Sequence, residues 1–458
     1  IDMDNERAHR LNDIGTTLLC LNVPEGTQVA LDNKQMVSGP SFKGFKMIPH
    51  GAHIFCYSAA DQTNNVSPPS VQSRFFYVDE RKQPGRVIIL KWSTELEDFV
   101  DEHSSSQLQQ QQQQQQHGGL DGSSPTLSQQ SAILTQQEIE SYTMAVKKLE
   151  FDRNLAPYPI DDNCHFQWLA LTSHITQSLL DRIMPISGVI NGDADDYENA
   201  QDNRRPRMPD AKEAEILAKL DRDLNEFRKL RNPQHQHEQS EQLEEDEAKT
   251  TKERWGVPYY SVLSRAPSKG STPTEISMWN MDKSHSLRTV IKRYYAADEY
   301  GLIGEIQFCY VLFIYGLAYG SFLQWKNLVT LMLQCDAMVD SNPRLFTTFL
   351  RVLQHQMEVG PADMFDSDIS SNMFLKPLLK GFIESNFDEI GGSGKVNDKD
   401  NDKRQLFEQV LAIRRMVENK FKWNLTLFEI GMDDNNQDHY MGEDNEDLPV
   451  VVYEDDVT

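Results

Sequence analysis

Glu305-Ile-Gln-Phe-Cys-Tyr-Val-Leu-Phe-Ile-Tyr-Gly-Leu-Ala-Tyr-Gly-Ser-Phe-Leu-Gln-Trp-Lys326 holds twenty consecutive residues without a charge. How it is read decides the fold, because twenty residues is the length of a membrane-spanning helix. However, Gln307, Gly316, Gly320 and Gln324 interrupt the apolar run, and no other segment could pair with it. Two short helices folded into a hairpin fit better, with Gly316 and Gly320 permitting close approach. No membrane span is expected.

Outward from it, helical patterning covers the chain from about Trp255. Thr272-Pro273-Thr274-Glu275 has the form of a capping box, with Pro at the first helical position, where a missing N–H costs nothing. Further helices are expected at 284–295, 303–316, 320–335, 343–358, 370–387 and 403–421. Gly391-Gly-Ser-Gly394 and the polar run to Lys403 predict a flexible loop.

The N-terminal side reads differently. Apolar and β-branched runs recur at short intervals between 15 and 92: Thr17–Asn22, Phe45–Ile48, His53–Tyr57, Phe75–Val78 and Val87–Trp92. Turn signals separate them, among them Pro24-Glu-Gly26, Asp32-Asn33, Pro49-His-Gly51 and Pro84-Gly85. That spacing predicts an antiparallel sandwich or half-barrel. Helices follow at 135–151 and, as one amphipathic stretch, from Cys164 to Ile183, broken apart by Pro157-Tyr-Pro159. The fold class expected is therefore a β-rich, antiparallel, sandwich-like N-terminal domain followed by an all-helical C-terminal domain.

Two polar segments interrupt this plan. Residues 104–131 are rich in Ser, Gln and Gly, with eight glutamines from Gln109 to Gln116. Such a tract buries nothing and is expected to be disordered. Residues 188–254 form an acidic insert with one short amphipathic helix around Leu217, Leu220, Leu224 and Phe227, a place where a partner helix could dock. The domains expected are 13–183 (with the insert at about 104–131), the linker 188–254, the helical domain 255–430 and an acidic tail 431–458.

The formal charge is −25, from 45 basic and 70 acidic residues. Ten acids and no Lys or Arg lie between Asp433 and Thr458, and the 188–254 insert adds eighteen acids against twelve bases. The acidity thus sits mostly outside the expected folded domains. A chain this acidic repels phosphate backbones, so no direct nucleic-acid binding is expected; Arg204, Arg205 and Arg207 form only a short basic patch, which would equally serve nuclear import. Cys20, Cys56, Cys164, Cys309 and Cys335 are odd in number and apolar in context, which predicts free thiols in a reducing compartment. The first 25 residues lack a basic start followed by a long apolar run, so no secretory leader is expected.

Catalytic and metal motifs fail on chemistry. Gly391-Gly-Ser-Gly-Lys395 has Glu389 where a phosphate loop needs glycine and Val396 where it needs Ser or Thr. Asp398, Asp400 and Asp402 are spaced like a calcium loop, but Lys403 replaces the turn glycine and Gln409 the bidentate glutamate. His50, His53 and Cys56 would point to different faces of a strand. No Gly-x-Ser-x-Gly elbow, HExxH or paired-carboxylate signature occurs, and neither cofactor nor metal is expected. An undetected hydrolase in the N-terminal domain stays as the alternative, since triads assemble in space. The more informative segment is Leu448-Pro-Val-Val-Val-Tyr453, a strand-like run inside the acidic tail. It either folds back onto its own domain or adds a strand to a partner's sheet edge, through Leu448, Val450, Val451, Val452 and Tyr453.

Several segments together resemble the AAR-two splicing-factor family, the a-one-cistron splicing factors. They are Phe42-Lys-Gly-Phe-Lys-Met-Ile-Pro-His-Gly51, Ile89-Leu-Lys-Trp-Ser93, Leu155-Ala-Pro-Tyr-Pro159, Thr272-Pro-Thr-Glu-Ile276, Gly304-Glu-Ile-Gln-Phe308, Gln324-Trp-Lys326, Pro361-Ala-Asp363, Lys420-Phe-Lys-Trp423 and the tail Leu448-Pro-Val-Val-Val452. Their order and coverage, from about residue 13 to the end, make the match specific. The glutamine tract and the 188–254 region depart from the pattern. The resemblance implies a non-enzymatic assembly factor of the U-five small nuclear ribonucleoprotein. It would bind the RNase H-like and Jab/MPN-like domains of the Prp-eight scaffold, exclude the Brr-two helicase and RNA, and act in cytoplasm and nucleus.

Overall fold

The computed structural model describes residues 5–58, 71–94, 97–100, 134–159, 162–185, 187–192, 256–263, 272–296, 298–366, 374–387 and 401–425. After α1 (Asn5–Ile14) come β1 (Thr16–Leu21), β2 (Gln28–Leu31), β3 (Lys34–Val37), β4 (Gly44–Ile48), β5 (Gly51–Ser58), β6 (Gln72–Val78), β7 (Val87–Ser93) and β8 (Asp98–Val100). Two-residue strands β9 (Ala156–Pro157) and β10 (Ile190–Asn191) complete two five-stranded sheets, ordered β8-β7-β1-β4-β9 and β10-β6-β5-β2-β3. Most pairs are antiparallel; β1 with β7 and β4 with β9 are parallel.

The sheets face each other across a core of Leu18, Cys20, Phe45, Phe55, Tyr57, Leu90, Trp92 and Phe99. Because successive side chains alternate faces, their neighbours point outward, yet these are buried too. Leu19, Leu21 and Ile89 lie under Leu134 and Ile139, at the start of α2 (Gln136–Lys147). Ala52, Ile54, Cys56 and Phe75 lie under the helices. Both faces of β5 are covered, which explains why it is buried continuously from Ala52 to Ser58. The hairpin of β2 and β3 was not expected as strands, being only four residues each; its Asp32-Asn33 turn was, and Asp32 adopts the left-handed φ of 54° that such turns use.

Thr135 caps α2 with a full capping box to Glu138. The single helix expected from Cys164 to Ile183 is two, α3 (Asp162–Thr172) and α4 (Gln177–Ile183). The break has a cause: Thr176 Oγ1 accepts from Leu179 N at 3.2 Å and starts a new helix, while His174 N donates to Gln307 from the C-terminal half at 2.7 Å. The helical part comprises α5 (Pro273–Met281), α6 (Ser284–Tyr294), α7 (Tyr300–Gly316), α8 (Tyr319–Met332), α9 (Asp336–Ser341), α10 (Pro343–Val359), α11 (Ala362–Asp366), α12 (Leu375–Phe387) and α13 (Asn401–Phe421). α5 starts at Pro273 as expected; α9 and α11 are too short for a periodic signal.

The uncharged stretch is a helical hairpin, and among the described residues no helix is long and apolar enough to cross a membrane. α7 is buried on nearly every side, as an all-round apolar helix must be. The glycine expectation is corrected in part. A Cβ on Gly316 would lie 2.6 Å from Ser73 Oγ, so this glycine lets α7 approach β6. Leu317, not a glycine, takes the left-handed turn, with φ 55°. The predicted insert helix at 217–227, the glutamine tract and the Gly391–Lys403 loop through residue 400 lie outside the described residues.

Candidate functional site

Two of the resemblance motifs, Gly304–Phe308 and Gln324–Lys326, lie at the seam between the sandwich and the helices, and one turn and a half of α7 carries most of it. A Cβ on Gly304 would sit 2.2 Å from His174 O, so only glycine allows α7 to pass the α3–α4 link this closely. Gln307 satisfies the frayed end of α3: its Oε1 accepts from His174 N, and its Nε2 donates to Ala170 O at 3.0 Å. The Phe308 ring packs on Phe75 of β6, with centroids 4.6 Å apart. From the other side Trp168 of α3 donates to Ala52 O of β5 at 2.9 Å.

Between these contacts sits Glu305, 0 % exposed. Its Oε2 meets Arg182 Nη2 of α4 at 2.5 Å, accepts from Ser261 Oγ at 2.7 Å and accepts from Tyr295 OH. Its Oε1 accepts from Ser261 N at 2.8 Å and from Gln324 Nε2 of α8 at 2.9 Å. Burial alone would raise the Glu305 carboxyl. Arg182, with the hydrogen bonds from Ser261 and Tyr295, more than offsets that and holds it below its ordinary value. Burial, then Glu305, pushes the Tyr295 hydroxyl far up, so it remains a donor. Four separate segments are thus tied by one carboxylate. Next along α8, Trp325 donates to Gln356 Oε1 of α10 at 2.9 Å. At the end of α10, Lys420 Nζ donates to the carbonyls of Met357, Glu358 and Gly360 at 2.8, 2.8 and 2.9 Å, capping the helix ahead of Pro361.

A second polar cluster lies inside the sandwich. Asp32 Oδ2 accepts from Tyr158 OH at 2.6 Å and faces His53 Nδ1 at 2.7 Å; its Oδ1 accepts from Ile54 N at 3.0 Å. His53 Nε2 faces Pro49 O at 2.8 Å. Burial first, then Asp32, raises the Tyr158 hydroxyl, which therefore donates. An Asp-His-Tyr set has the makings of acid–base chemistry, but Asp32 and His53 are each 1 % exposed, and every polar atom named here is already engaged. The cluster locks β2, β5 and the Pro157-Tyr-Pro159 segment together. It also settles the three metal-like residues: His53 points into the sandwich, Cys56 points to the helices beside Ser73, and His50 stacks edge-on with Tyr77 at the surface. They do not converge, and among the described residues no group of His, Cys, Asp or Glu could hold a metal ion.

The partner-binding residues expected from sequence, Leu448, Val450, Val451, Val452 and Tyr453, lie outside the described residues. The sequence reading missed Arg182, Ser261 and Tyr295, and it named Lys420 within the motif Lys420–Trp423 without giving it a role. Arg182 is 123 positions from Glu305, so no local spacing could have paired them. One signal was available: a single carboxylate, Glu305, inside the most apolar part of the chain requires a buried cation.

Comparison with known proteins follows the same division. The model of the AAR2 N-terminal domain matches residues 14–185, and that of the AAR2 C-terminal repeat region matches residues 259–426. The protein named AAR2 homolog from Homo sapiens is 28% identical over 389 residues, covering 84% of this chain and 86% of that protein. Its namesake from Caenorhabditis elegans is 25% identical over 413 residues, covering 90% of this chain and 94% of that protein. The two models abut the seam from either side and together take in well over half of the 458 residues: the chain belongs to the AAR2 family.

Proposed function

We propose that this chain is a non-enzymatic assembly factor of the spliceosomal U-five small nuclear ribonucleoprotein, working in cytoplasm and nucleus. Family membership supports a role in splicing. The finer reading is that it bridges the RNase H-like and Jab/MPN-like domains of the Prp-eight scaffold and keeps the helicase and RNA away until maturation. One observation supports a bridge above other roles. The Glu305 node and its neighbours weld two dissimilar domains into one body, so a partner touching both domains is held at a set distance and angle. A bridge needs that rigidity, because ordering a hinge on binding would be subtracted from affinity.

The tail supplies the release. Leu448, Val450, Val451, Val452 and Tyr453 add a strand to a sheet edge of the scaffold, and ordering such a segment costs about 2–5 kcal/mol of gross binding energy. A contact so weakened suits a factor that must leave. Phosphorylation of Ser or Thr beside the acidic segments would add repulsion and favour release. The test is a calorimetric titration of the two scaffold domains with the full chain and with a chain ending at Asp447. Truncation, or Val451→Asp, weakens binding; equal affinity for all three chains would remove the tail from the reading. The alternative, a hydrolase in the N-terminal domain, gains nothing from the Asp32–His53–Tyr158 cluster, which is sealed from substrate.

A further inference from the structure

α6 carries charge of one sign. Ser284–Tyr294 contains Arg288, Lys292 and Arg293 and no Asp or Glu, in a chain with 70 acids against 45 bases. Leu287, Val290 and Ile291 are buried, which pins the helix and turns its other face outward. His285, Arg288, Lys292 and Arg293 are all exposed on that face. The helix dipole accounts for the cations of the last turn, Lys292 and Arg293, but not for Arg288. Arg288 and Lys292 stand four positions apart and repel, which weakens the helix. Their neighbours do not cancel the charge. Arg288 Nη2 donates to Ser341 Oγ at 3.2 Å, and Arg293 lies 5.2 Å from the centre of the Tyr294 ring, and both of these groups are neutral.

An apolar anchor stands beside this stripe. Met281, the last residue of α5, is 78% exposed. The elbow between α5 and α6 is held rigidly. Trp279 Nε1 donates to Ser286 Oγ at 3.1 Å, Lys283 N donates to Gln334 O at 2.8 Å, and Ser284 Oγ accepts from Met338 N at 2.9 Å. Arginine and methionine together are what protein interfaces favour. The methionine also decides between polyanions. A phosphate backbone would use the cations and leave Met281 in water, whereas an acidic protein segment with an apolar side chain uses both. Exposed charges are screened beyond about 8 Å at physiological salt, so the stripe, and not the net charge of the chain, governs a close encounter. We infer that the α5–α6 elbow docks an acidic segment of another protein. Carboxylates of that segment pair with Arg288, Lys292 and Arg293, and an apolar side chain covers Met281. The surface goes beyond the assembly reading and uses neither the tail nor the Glu305 node.

Fluorescence anisotropy on the full chain tests this with labelled probes: a short synthetic peptide of Asp and Glu with Leu at its centre, the same peptide with Ser for Leu, and an oligouridylate of equal charge. The first peptide should bind tightest. The triple variant Arg288→Glu, Lys292→Glu, Arg293→Glu should weaken it by about tenfold or more, and Met281→Ser by about threefold. Arg351→Glu, Lys380→Glu, Arg415→Glu, at exposed positions on other helices, changes the net charge equally and should leave binding within about twofold. All the replaced side chains except that of Met281 are charged and every one is exposed, so the far-ultraviolet dichroism should not change. No binding by the parent, or equal binding by the α6 variant, would overturn the inference. Tighter binding of the oligouridylate would overturn it too, by assigning the stripe to RNA. So would a dimer of the parent that the α6 variant loses, which would assign the stripe to a second copy. Binding only by a chain ending at Met432 would assign it to the chain's own acidic tail, and the inference would again fall. No scaffold is present in this experiment, so its failure leaves the scaffold reading standing, and failure of scaffold binding leaves this surface standing.

Discussion

Replacing Glu305 with Gln alters one atom and should unfold the seam first. The carboxylate accepts from five donors: Arg182 Nη2, Ser261 N and Oγ, Tyr295 OH and Gln324 Nε2. Two donors meet Oε1 and three meet Oε2. A glutamine amide presents one acceptor oxygen and one donor nitrogen. Whichever way it is turned, at least two of those donors face an N–H, and Arg182, with a side chain only 21% exposed, loses its counter-charge. Breaking a buried pair from one side costs about 3–5 kcal/mol, against a typical total stability of about 5–15 kcal/mol. Differential scanning calorimetry should show the transition lowered by roughly 10 °C. Because the groups form one network, the double variant Arg182→Met, Glu305→Leu should cost less than the two single changes added, by about 2 kcal/mol. A Glu305→Gln transition within about 1 °C of the parent's would refute the claim that this node holds the domains together.

The same residue predicts an acid limb. Glu305 is held below its ordinary carboxyl value in the fold, so the unfolded chain binds the proton more readily. Its stabilisation is complete at pH above that ordinary value and is withdrawn as pH falls toward the folded value. Calorimetry from pH 7 to pH 4 should show the parent losing stability faster than Glu305→Gln, with the two curves converging at low pH. Parallel curves would mean that the carboxyl is not held low.

Three further outcomes follow from the seam and the sandwich. Gly304→Ala forces a methyl to 2.2 Å from His174 O, a backbone atom, and should destabilise by about 1–3 kcal/mol in chemical denaturation, with the far-ultraviolet dichroism of the folded chain unchanged. Lys420→Met keeps the apolar stem but removes three hydrogen bonds from the end of α10; it should cost about 1–2 kcal/mol and speed amide exchange in the last turn of α10 and at Gly360. Tyr158→Phe leaves Asp32 with His53 and Ile54 N and should cost about 1 kcal/mol, far less than Asp32→Ala, which strips partners from three groups at once.

What the chain reveals locally and what it conceals divide at about ten residues of separation. β5 declares itself in part: the run His53–Tyr57 after the Pro49-His-Gly51 turn reads as a strand, while its full span, Gly51–Ser58, and its burial on both faces depend on the helices that cover it. The α7–α8 hairpin declares itself because two glutamines and two glycines in an uncharged run are wrong for lipid and right for a protein core. The Asp32-Asn33 turn was legible while its four-residue strands were not, since a turn is set by two residues and a short strand by its neighbours. The seam was illegible for the opposite reason to the tail. Arg182 and Glu305 satisfy each other across 123 positions, a partnership that no window contains. Yet the residue types were on view: Gly304, Glu305, Gln307 and Phe308 are four positions of unlike chemistry within five residues. No single face of a helix has use for a glycine, a carboxylate, an amide and an aromatic ring together, unless each meets a different neighbour. The structure supplies those neighbours as His174 O, Arg182, the end of α3 and Phe75. A motif of mixed chemistry inside an apolar helix therefore marks a junction between domains more readily than a catalytic centre, which gathers like-tasked groups around an opening.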